Sequence, residues 1–294
     1  MARWMIAGAG LVLTALGFAA AMAEQTAAPA PAPAMRMAGG YLQAGSAPDS
    51  NLLIPPPPAA GSAALARDEE AQRAALALRG TPRWDLATSD ALLFSATATS
   101  TFSCAAQLRI DANSTPLTNA LLRKAGPDLA LAVYPSKRKY ARQRPFMGNG
   151  QPSCTPKEEP MLRNDGSYPS GHSAIGYGWG LILAELLPNR AAQLVARGRA
   201  FGDSRRVCNV HWLSDVEEGR VVATAVFARL HAEPAYRADL EAARKELDAH
   251  RLMKMAPPDC ARAAAVSASS AHIVMGNLSS GFNRIRYSLK AAAP

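Results

Sequence analysis

The stretch of sequence that decides the fold is YPSGHSAIGYGWGLILAELL, residues 168–187. Ile175, Trp179 and Leu183 recur at every fourth position, a spacing that predicts a helix over 172–187 with one face in a hydrophobic core. Similar periodicity extends to both sides, and no alternation typical of strands competes with it. Helices are expected at 63–78, 84–97, 189–202, 212–231 and 234–252, and also within 116–144, where Pro135 must interrupt or restart the helix. The sequence therefore predicts an all-α protein.

The composition places only broad limits on function. The 294 residues suit one large domain or two small ones, and the net charge of +9 suits anionic partners such as phosphate esters, nucleic acids or membrane surfaces. The basic residues are scattered and form no run interleaved with aromatic residues. We therefore do not expect a nucleic-acid partner.

The first residues have the pattern of a secretory signal peptide. Arg3 precedes an apolar run that ends near Ala20, and Ala21-Met22-Ala23 provides the small residues at which signal peptidase cleaves. We expect cleavage after Ala23 and a periplasmic or secreted protein without a membrane span in the mature chain. An uncleaved membrane anchor is the alternative, although the run is short for the ~20 strongly apolar residues of a span.

The remaining chain divides into three parts by composition. An Ala/Pro-rich lead is expected to be disordered, and an Ala/Ser-rich tail is expected to be a low-complexity appendage. The predicted boundaries are 1–23 for the signal peptide, 24–49 for the lead, 50–254 for a single domain and 255–294 for the tail.

The four cysteines are Cys104, Cys154, Cys208 and Cys260. An even number in an exported chain predicts two disulfide bonds, for which three pairings are conceivable. We favour Cys154 with Cys208 and Cys104 with Cys260, because Cys154 and Cys208 lie beside the polar segments described next. The sequence contains no CxxC motif and no Cys/His cluster, so a zinc site is not expected.

A basic segment contains two cations that could hold one anion. Lys137 and Arg144 are seven residues apart, which places them two turns apart on one helix face, and Pro145 should end that helix. A lysine and an arginine on one face can clamp the oxygens of a phosphate. A basic, solvated helix surface is the alternative interpretation of this segment taken alone.

A turn lies directly before the apolar helix. Pro169 and Gly171 predict the turn, and the first N–H groups of the helix that follows can bind an anion. Ser170 adds a hydroxyl donor, Gly171 lets the backbone approach closely, and His172 should lie at the edge of the anion site. The alternative is an ordinary helix start with a histidine at the surface. The polar segment 148–168 is expected to be a long loop of the kind that often carries function.

The third segment whose side chains are suited to catalysis or anion binding runs from Ser204 to Asp215. His211 and Asp215 are four residues apart, one helical turn, so their side chains can form a hydrogen bond. A carboxylate on one imidazole nitrogen fixes the tautomer and leaves the other nitrogen free to attack. Arg205 supplies a third cation for a phosphate. The alternative is a His–Asp pair on the surface of a helix.

The three segments together resemble the three-part signature of the PAP2 superfamily. The matching residues are Lys137-x6-Arg144-Pro145, Pro169-Ser170-Gly171-His172 and Ser204-Arg205-x5-His211-x3-Asp215. This superfamily includes class A bacterial non-specific acid phosphatases, lipid phosphate phosphatases and vanadium haloperoxidases. The surrounding sequence resembles the class A acid phosphatases over roughly 50–252. The resemblance implies a single helical-bundle domain with a phosphate pocket between helix ends.

The resemblance also implies a role for each residue of the signature. His211 would be the nucleophile that forms a phosphohistidine, Asp215 would orient it, and His172 would be the general acid and base. The phosphate oxygens would be held by Lys137, Arg144, Arg205, the Ser170 hydroxyl and the Gly171 N–H. The implied activity is hydrolysis of small-molecule phosphate monoesters, with phosphate transfer to alcohols as an additional possibility.

Several expectations follow for partners and alternatives. We expect no cofactor and no metal, because the sequence contains no carboxylate cluster to hold Mg²⁺ or Zn²⁺. A vanadium-dependent haloperoxidase would use the same pocket for vanadate, and a lipid phosphate phosphatase would need membrane spans. A non-catalytic phosphate-binding protein would need only the cations and N–H groups, whereas this chain also has His172 and the His211/Asp215 pair. Whether the chain forms a homo-oligomer is left open.

Overall fold

The computed structural model describes Met1, residues 39–252 and Cys260. The α-helices in this part of the chain are α1 (Ser50–Leu53), α2 (Ala63–Leu76), α3 (Pro82–Asp90), α4 (Ser103–Ala106), α5 (Pro116–Leu131), α6 (Tyr134–Tyr140), α7 (Pro145–Asn149), α8 (Glu159–Leu162), α9 (Gly171–Leu186), α10 (Ala191–Val207), α11 (Leu213–Leu230) and α12 (Pro234–Leu252). Short 3-10 turns occur at Ala98–Phe102, Pro156–Glu158 and Pro188–Arg190. No strand occurs among the described residues, so the prediction of an all-α fold is confirmed.

Helix α9 is the central element, and it packs against α5, α10 and α11. The predicted core residues Ile175, Trp179 and Leu183 are all buried. The indole N–H of Trp179 donates a hydrogen bond of 2.7 Å to the carbonyl of Leu122 on α5, so this bulky side chain is fixed as well as buried. None of the helices within 39–252 has the length and apolar character needed to cross a membrane.

Glycines let the backbones of α9 and α10 approach each other closely. A Cβ atom at Gly180 would lie 2.9 Å from the carbonyl oxygen of Leu194, and one at Gly198 would lie 2.9 Å from that of Gly176. Because residue numbers rise on α9 as they fall on α10, the two helices are antiparallel. The start of α9 therefore lies beside the end of α10. A Cβ atom at Gly202 would also lie 3.3 Å from Val216, near the start of α11. Three helix ends converge at this place.

The segment 116–144 has the predicted interruption and restart near Pro135, but its second helix ends earlier than predicted. Helix α5 ends at Leu131, and α6 begins at Tyr134 with Pro135 in its first turn, a position that proline favours. Helix α6 then ends at Tyr140, because Ala141 adopts a left-handed conformation with φ of 41°. The prediction that Lys137 and Arg144 share a helix face is therefore wrong, although the residue pattern behind it is real.

The packed part of the chain begins before residue 50, the predicted start of the domain. Tyr41 is buried, with its ring edge-on to that of Tyr236 at a centroid distance of 5.3 Å. Its backbone N–H donates to the carboxylate of Asp128 at 2.7 Å. An aromatic side chain and a buried carboxylate thus anchor residues that we expected to be disordered. The predicted signal peptide and most of the predicted tail lie outside the described residues.

The cysteines pair as we favoured, Cys154 with Cys208 and Cys104 with Cys260. The Cα atoms of Cys154 and Cys208 are 4.7 Å apart, and the N–H of Cys154 also donates to the carbonyl of Cys208. The loop after α7 is thereby fixed to the end of α10, directly before His211. Cys260, which belongs to the predicted tail, is joined to Cys104 in α4.

Candidate active site

The three signature segments meet where the helix ends converge. Lys137 comes from α6, and Arg144 lies just before α7. The turn 169–172 starts α9, Arg205 lies in the last turn of α10, and His211 precedes α11. Most side chains of the signature are buried, with Arg205 and His211 only 1% and 2% exposed, whereas His172 is partly exposed. Polar groups from distant parts of the sequence thus share one buried region.

His211 is held between a carboxylate and a guanidinium. Its Nδ1 lies 3.3 Å from Oδ2 of Asp215, and its Nε2 lies 3.0 Å from Nη1 of Arg144. A guanidinium can only donate hydrogen bonds, so Nε2 must be the acceptor and the proton must be on Nδ1. The lone pair of Nε2 therefore points toward the cations of the site.

The His211/Asp215 pair forms across the start of a helix, and not within a helical turn as predicted. Asp215 is the third residue of α11, and its Oδ2 also accepts the N–H of Trp212 at 2.8 Å. The same oxygen therefore caps the helix and orients the imidazole. This double use fixes the carboxylate relative to the backbone of α11.

Burial and neighbouring charge keep His211 neutral. Burial lowers the pKa of His211 well below its usual value, and the positive charges of Arg144, Lys137 and Arg205 lower it further. At neutral pH the ring therefore carries one proton, on Nδ1, and an unprotonated Nε2 whose lone pair faces Arg144. A neutral imidazole is the form that can act as a nucleophile.

Arg144 is fixed by backbone carbonyls on several sides. Its Nε donates to the carbonyls of Leu162 and Asp165, both at 3.0 Å, and its Nη1 donates to the carbonyl of Val210 at 3.1 Å. These contacts hold the guanidinium rigidly against Nε2 of His211. Such preorganised positive charge can stabilise a developing anion without rearrangement during the reaction.

Asp165 connects two of the cations, a role that the sequence did not reveal. Its Oδ2 lies 2.9 Å from Nη2 of Arg144 and 3.1 Å from Nζ of Lys137. Lys137 also donates to the carbonyl of Gly166. The only signal in the sequence was the position of Asp165 in the polar loop before the turn. This carboxylate partly neutralises the cations and sets their spacing.

Lys137 and Arg205 differ from ordinary surface cations. Burial is the main cause that lowers the pKa of Lys137 to about 8, with the charge of Arg144 second. Burial likewise lowers the pKa of Arg205 to about 10. Arg205 thus stays charged at neutral pH, while the charge of Lys137 depends on pH just above neutrality.

The Arg205 guanidinium has almost no partner in the described part of the chain. Its Nε forms no hydrogen bond there, and its Nη1 only approaches the sulfur of Cys208 at 3.8 Å. Among the same residues, no carboxylate lies within ion-pairing distance of it. Burying a charge without a counter-ion costs free energy. The arrangement fits a site that receives an anion.

Ser170 and Gly171 lie at the start of α9, as predicted. The Ser170 hydroxyl accepts hydrogen bonds from the N–H and the hydroxyl of Ser173, at 3.2 and 2.9 Å, and so caps the helix. The Ser170 N–H donates to the carbonyl of Asp215 at 2.9 Å. This bond ties the start of α9 to the start of α11, beside the His211/Asp215 pair.

His172 is oriented by a backbone carbonyl that sequence reasoning missed. Its Nε2 lies 3.2 Å from the carbonyl oxygen of Ala91, at the end of α3. A carbonyl can only accept, so Nε2 carries the proton and Nδ1 is the nitrogen that can exchange one. Burial lowers the pKa of His172 well below its usual value, and the charge of Arg205 lowers it further.

Comparison with known proteins identifies the family. Residues 120–238 match the PAP2 superfamily. The chain is 40% identical over 194 residues to an acid phosphatase of Zymomonas mobilis subsp. mobilis, an alignment that covers 66% of this chain and 74% of the relative. It is 39% identical over 203 residues to a non-specific acid phosphatase of Salmonella typhi, covering 68% and 80%, and 37% identical over 207 residues to one of Providencia stuartii, covering 70% and 84%.

The family match includes the segments that supply the converging side chains. The family match begins within α5 and ends in α12, so it contains Lys137, Arg144, the turn at 169–172, Arg205 and the His211/Asp215 pair. The similarity therefore covers the helix ends that build the buried cationic site. With this arrangement and with relatives matched over more than two thirds of their length, the chain belongs to the PAP2 superfamily.

Proposed function

We propose that the protein hydrolyses phosphate monoesters through a phosphohistidine on His211. The observation that carries this proposal is the buried Arg205 guanidinium, which has no carboxylate within ion-pairing distance among residues 39–252, beside two imidazoles whose pKa is lowered by burial and by this charge. A phosphate group supplies the missing negative charge. The names of the relatives, which are acid phosphatases, support the same activity.

The first chemical step is transfer of the phosphoryl group to His211. The lone pair of Nε2 attacks phosphorus, so an N–P bond forms while the bond from phosphorus to the ester oxygen breaks. When the ring of His172 is doubly protonated, with one proton held on Nε2 by the carbonyl of Ala91, the leaving oxygen takes the proton on Nδ1 and the ring becomes neutral. Arg144, Arg205 and Lys137 neutralise the charge on the remaining phosphate oxygens.

The second step is hydrolysis of the phosphohistidine. Water attacks phosphorus and gives a proton to Nδ1 of His172, the N–P bond breaks, and inorganic phosphate leaves. Asp215 stabilises the positive charge that the ring of His211 carries while it is phosphorylated. The cycle returns both imidazoles to their starting protonation.

A protein that only bound phosphate would not need this arrangement of imidazoles. Binding requires the cations and the N–H groups at the start of α9. It does not require that Asp215 hold the proton of His211 on Nδ1 while Arg144 faces Nε2. The fixed tautomer supports catalysis, because it leaves the nitrogen that would attack phosphorus without a proton.

We further propose that the protein functions outside the cytoplasm. Two disulfide bonds support this, because such bonds persist in oxidising compartments such as the periplasm. The signal-peptide pattern in the sequence is consistent with export. N-terminal sequencing of the protein from a periplasmic or culture fraction should give Glu24 as the first residue. A chain in that fraction that still begins at Met1 would exclude cleavage.

Replacing the nucleophile should abolish turnover. His211→Ala should lower the rate of p-nitrophenyl phosphate hydrolysis by about 10⁴-fold or more, because covalent transfer then has no route. The wild type, quenched in alkali during turnover, should carry phosphate on the peptide that contains His211, and the variant should carry none. His250→Ala, on α12, is the matched control and should remain active. Turnover by His211→Ala near the wild-type rate would refute the assignment.

Replacing the general acid should affect poor leaving groups most. In single turnovers, His172→Ala should slow cleavage of an alkyl phosphate by about 10²–10⁴-fold. Cleavage of p-nitrophenyl phosphate should slow much less, because its leaving group needs no proton. Since the pKa of His172 is lowered in the empty site, the wild-type rate on alkyl esters should also fall as pH rises through the acid range. Equal losses on both esters would argue against this role.

The pH dependence above neutrality should report Lys137. The kcat/KM value for p-nitrophenyl phosphate reflects the free enzyme, in which the pKa of Lys137 is about 8. The value should therefore fall as pH rises through about 8, because the lysine loses its charge. Lys137→Arg keeps a charged group there and should move this fall to higher pH. An identical fall in the wild type and in this variant would show that another group titrates.

A further inference from the structure

Asp215 is bound at both of its carboxylate oxygens. Oδ2 faces the imidazole of His211 and the N–H of Trp212, as described above. Oδ1 accepts a hydrogen bond of 2.7 Å from Nη1 of Arg142, which lies between α6 and α7. The carboxylate therefore joins the imidazole on one side to a guanidinium on the other.

Arg142 is held in turn by a carboxylate from α2. Its Nη2 donates to Oδ2 of Asp68 at 2.8 Å. Ser214 completes the group, because its N–H and its hydroxyl donate to Asp68 at 2.8 and 2.6 Å, while its hydroxyl accepts from Nη1 of Arg142 at 2.8 Å. Negative and positive groups thus alternate from Asp68 through Arg142 and Asp215 to the imidazole.

Asp68 is the one buried acid of α2, on the helix face that also buries Gln72 and Ala75. Glu69 and Glu70, the next two residues of α2, are exposed, whereas Asp68 is 1% exposed. A buried ion pair contributes little to stability when compared with well-packed apolar side chains. The acid at this position is better explained by what it contacts, namely a guanidinium that touches the partner of His211.

Arg142 has an electrostatic effect on Asp215. Burial raises the pKa of Asp215, and the charge of Arg142 is the largest of the causes that oppose this rise. Arg142 therefore favours the ionised carboxylate, which is the form that accepts the Nδ1 proton of His211. Asp68 offsets the charge of Arg142, so the three groups together present one net negative charge to the imidazole.

We propose that Asp68 and Arg142 are positioning residues for His211, acting through Asp215. They fix the orientation of the Asp215 carboxylate, and their opposite charges leave its negative charge available to the ring. The inference rests on the proposed function, because it assumes that Nε2 attacks phosphorus. It extends the site to α2, which contains none of the signature residues.

The decisive variant is Asp68→Asn, which keeps the size of the side chain and removes its charge. Arg142 would then form an ion pair with Asp215 alone. The negative charge of Asp215 would be less available to the imidazole of His211. We expect kcat for p-nitrophenyl phosphate to fall about 10–100-fold, as is typical when an outer partner of a reacting group is lost. The KM value and the inhibition constant of inorganic phosphate should stay within about twofold, because the phosphate-binding cations are unchanged.

A matched control and a step-resolved measurement separate positioning from general damage. Glu69→Gln makes the same change of charge one residue along α2, on an exposed side chain, and should leave kcat unchanged. Rapid-quench measurement should find slower phosphorylation of His211 in Asp68→Asn. A folded Asp68→Asn protein with wild-type kcat would overturn the proposal, as would one in which KM rises and kcat does not fall.

Two further variants keep the test decisive if Asp68→Asn does not fold. Ser214→Ala removes one hydrogen bond to Asp68 and one from Arg142 without a change of charge, and Arg142→Lys keeps the charge but cannot bridge the two carboxylates. Each should lower kcat at nearly constant KM, and wild-type kcat in both would overturn the proposal. A wild-type protein without phosphatase activity would refute the proposed function. Active variants beside an active wild type would refute only the positioning role.

Discussion

At Gly180 and Gly198 the backbones of α9 and α10 touch, and this contact determines where the rest of the site can form. Because the two helices are antiparallel and closely packed, the first turn of α9 must lie beside the last turn of α10. Arg205 is thereby brought to the turn that carries His172. The short connection from α10 to α11 then leaves His211 between them, and the Cys154–Cys208 bond fixes its start.

Positive charge dominates the space between these helix ends. Lys137 and Arg144 share one carboxylate, and Arg205 has none within ion-pairing distance among the described residues. Burial strengthens the interactions between these groups, because little water screens them. Burial, reinforced by the charges of these cations, lowers the pKa of both imidazoles and keeps them neutral in the empty site. A bound phosphate dianion reverses part of this effect, so binding of the anion and protonation of His172 favour each other.

The signature residues could be predicted from sequence because each belongs to a short pattern with clear chemistry, such as the acid four positions after His211. The helix α9 could also be predicted, since its apolar side chains are regularly spaced. The positions of these segments relative to one another in space could not be predicted. A left-handed residue at Ala141 breaks the expected helix, and no propensity of alanine indicates that conformation. The carbonyl of Ala91 has no side chain to mark it, and nothing in the sequence distinguishes Asp68 from Glu69 and Glu70, the acids that follow it.

Asp165 affects how the enzyme releases its product. Its carboxylate is already bound to Arg144 and Lys137 when no substrate is present. A phosphate that enters the site must therefore compete with Asp165 for these two cations. Phosphate binding therefore yields less free energy, because the ion pairs of Asp165 with the two cations must be weakened first. Tight retention of inorganic phosphate would slow each cycle, whereas an internal competitor that returns to the cations helps to expel it. The loop carboxylate thus favours rapid exchange of phosphate over strong retention.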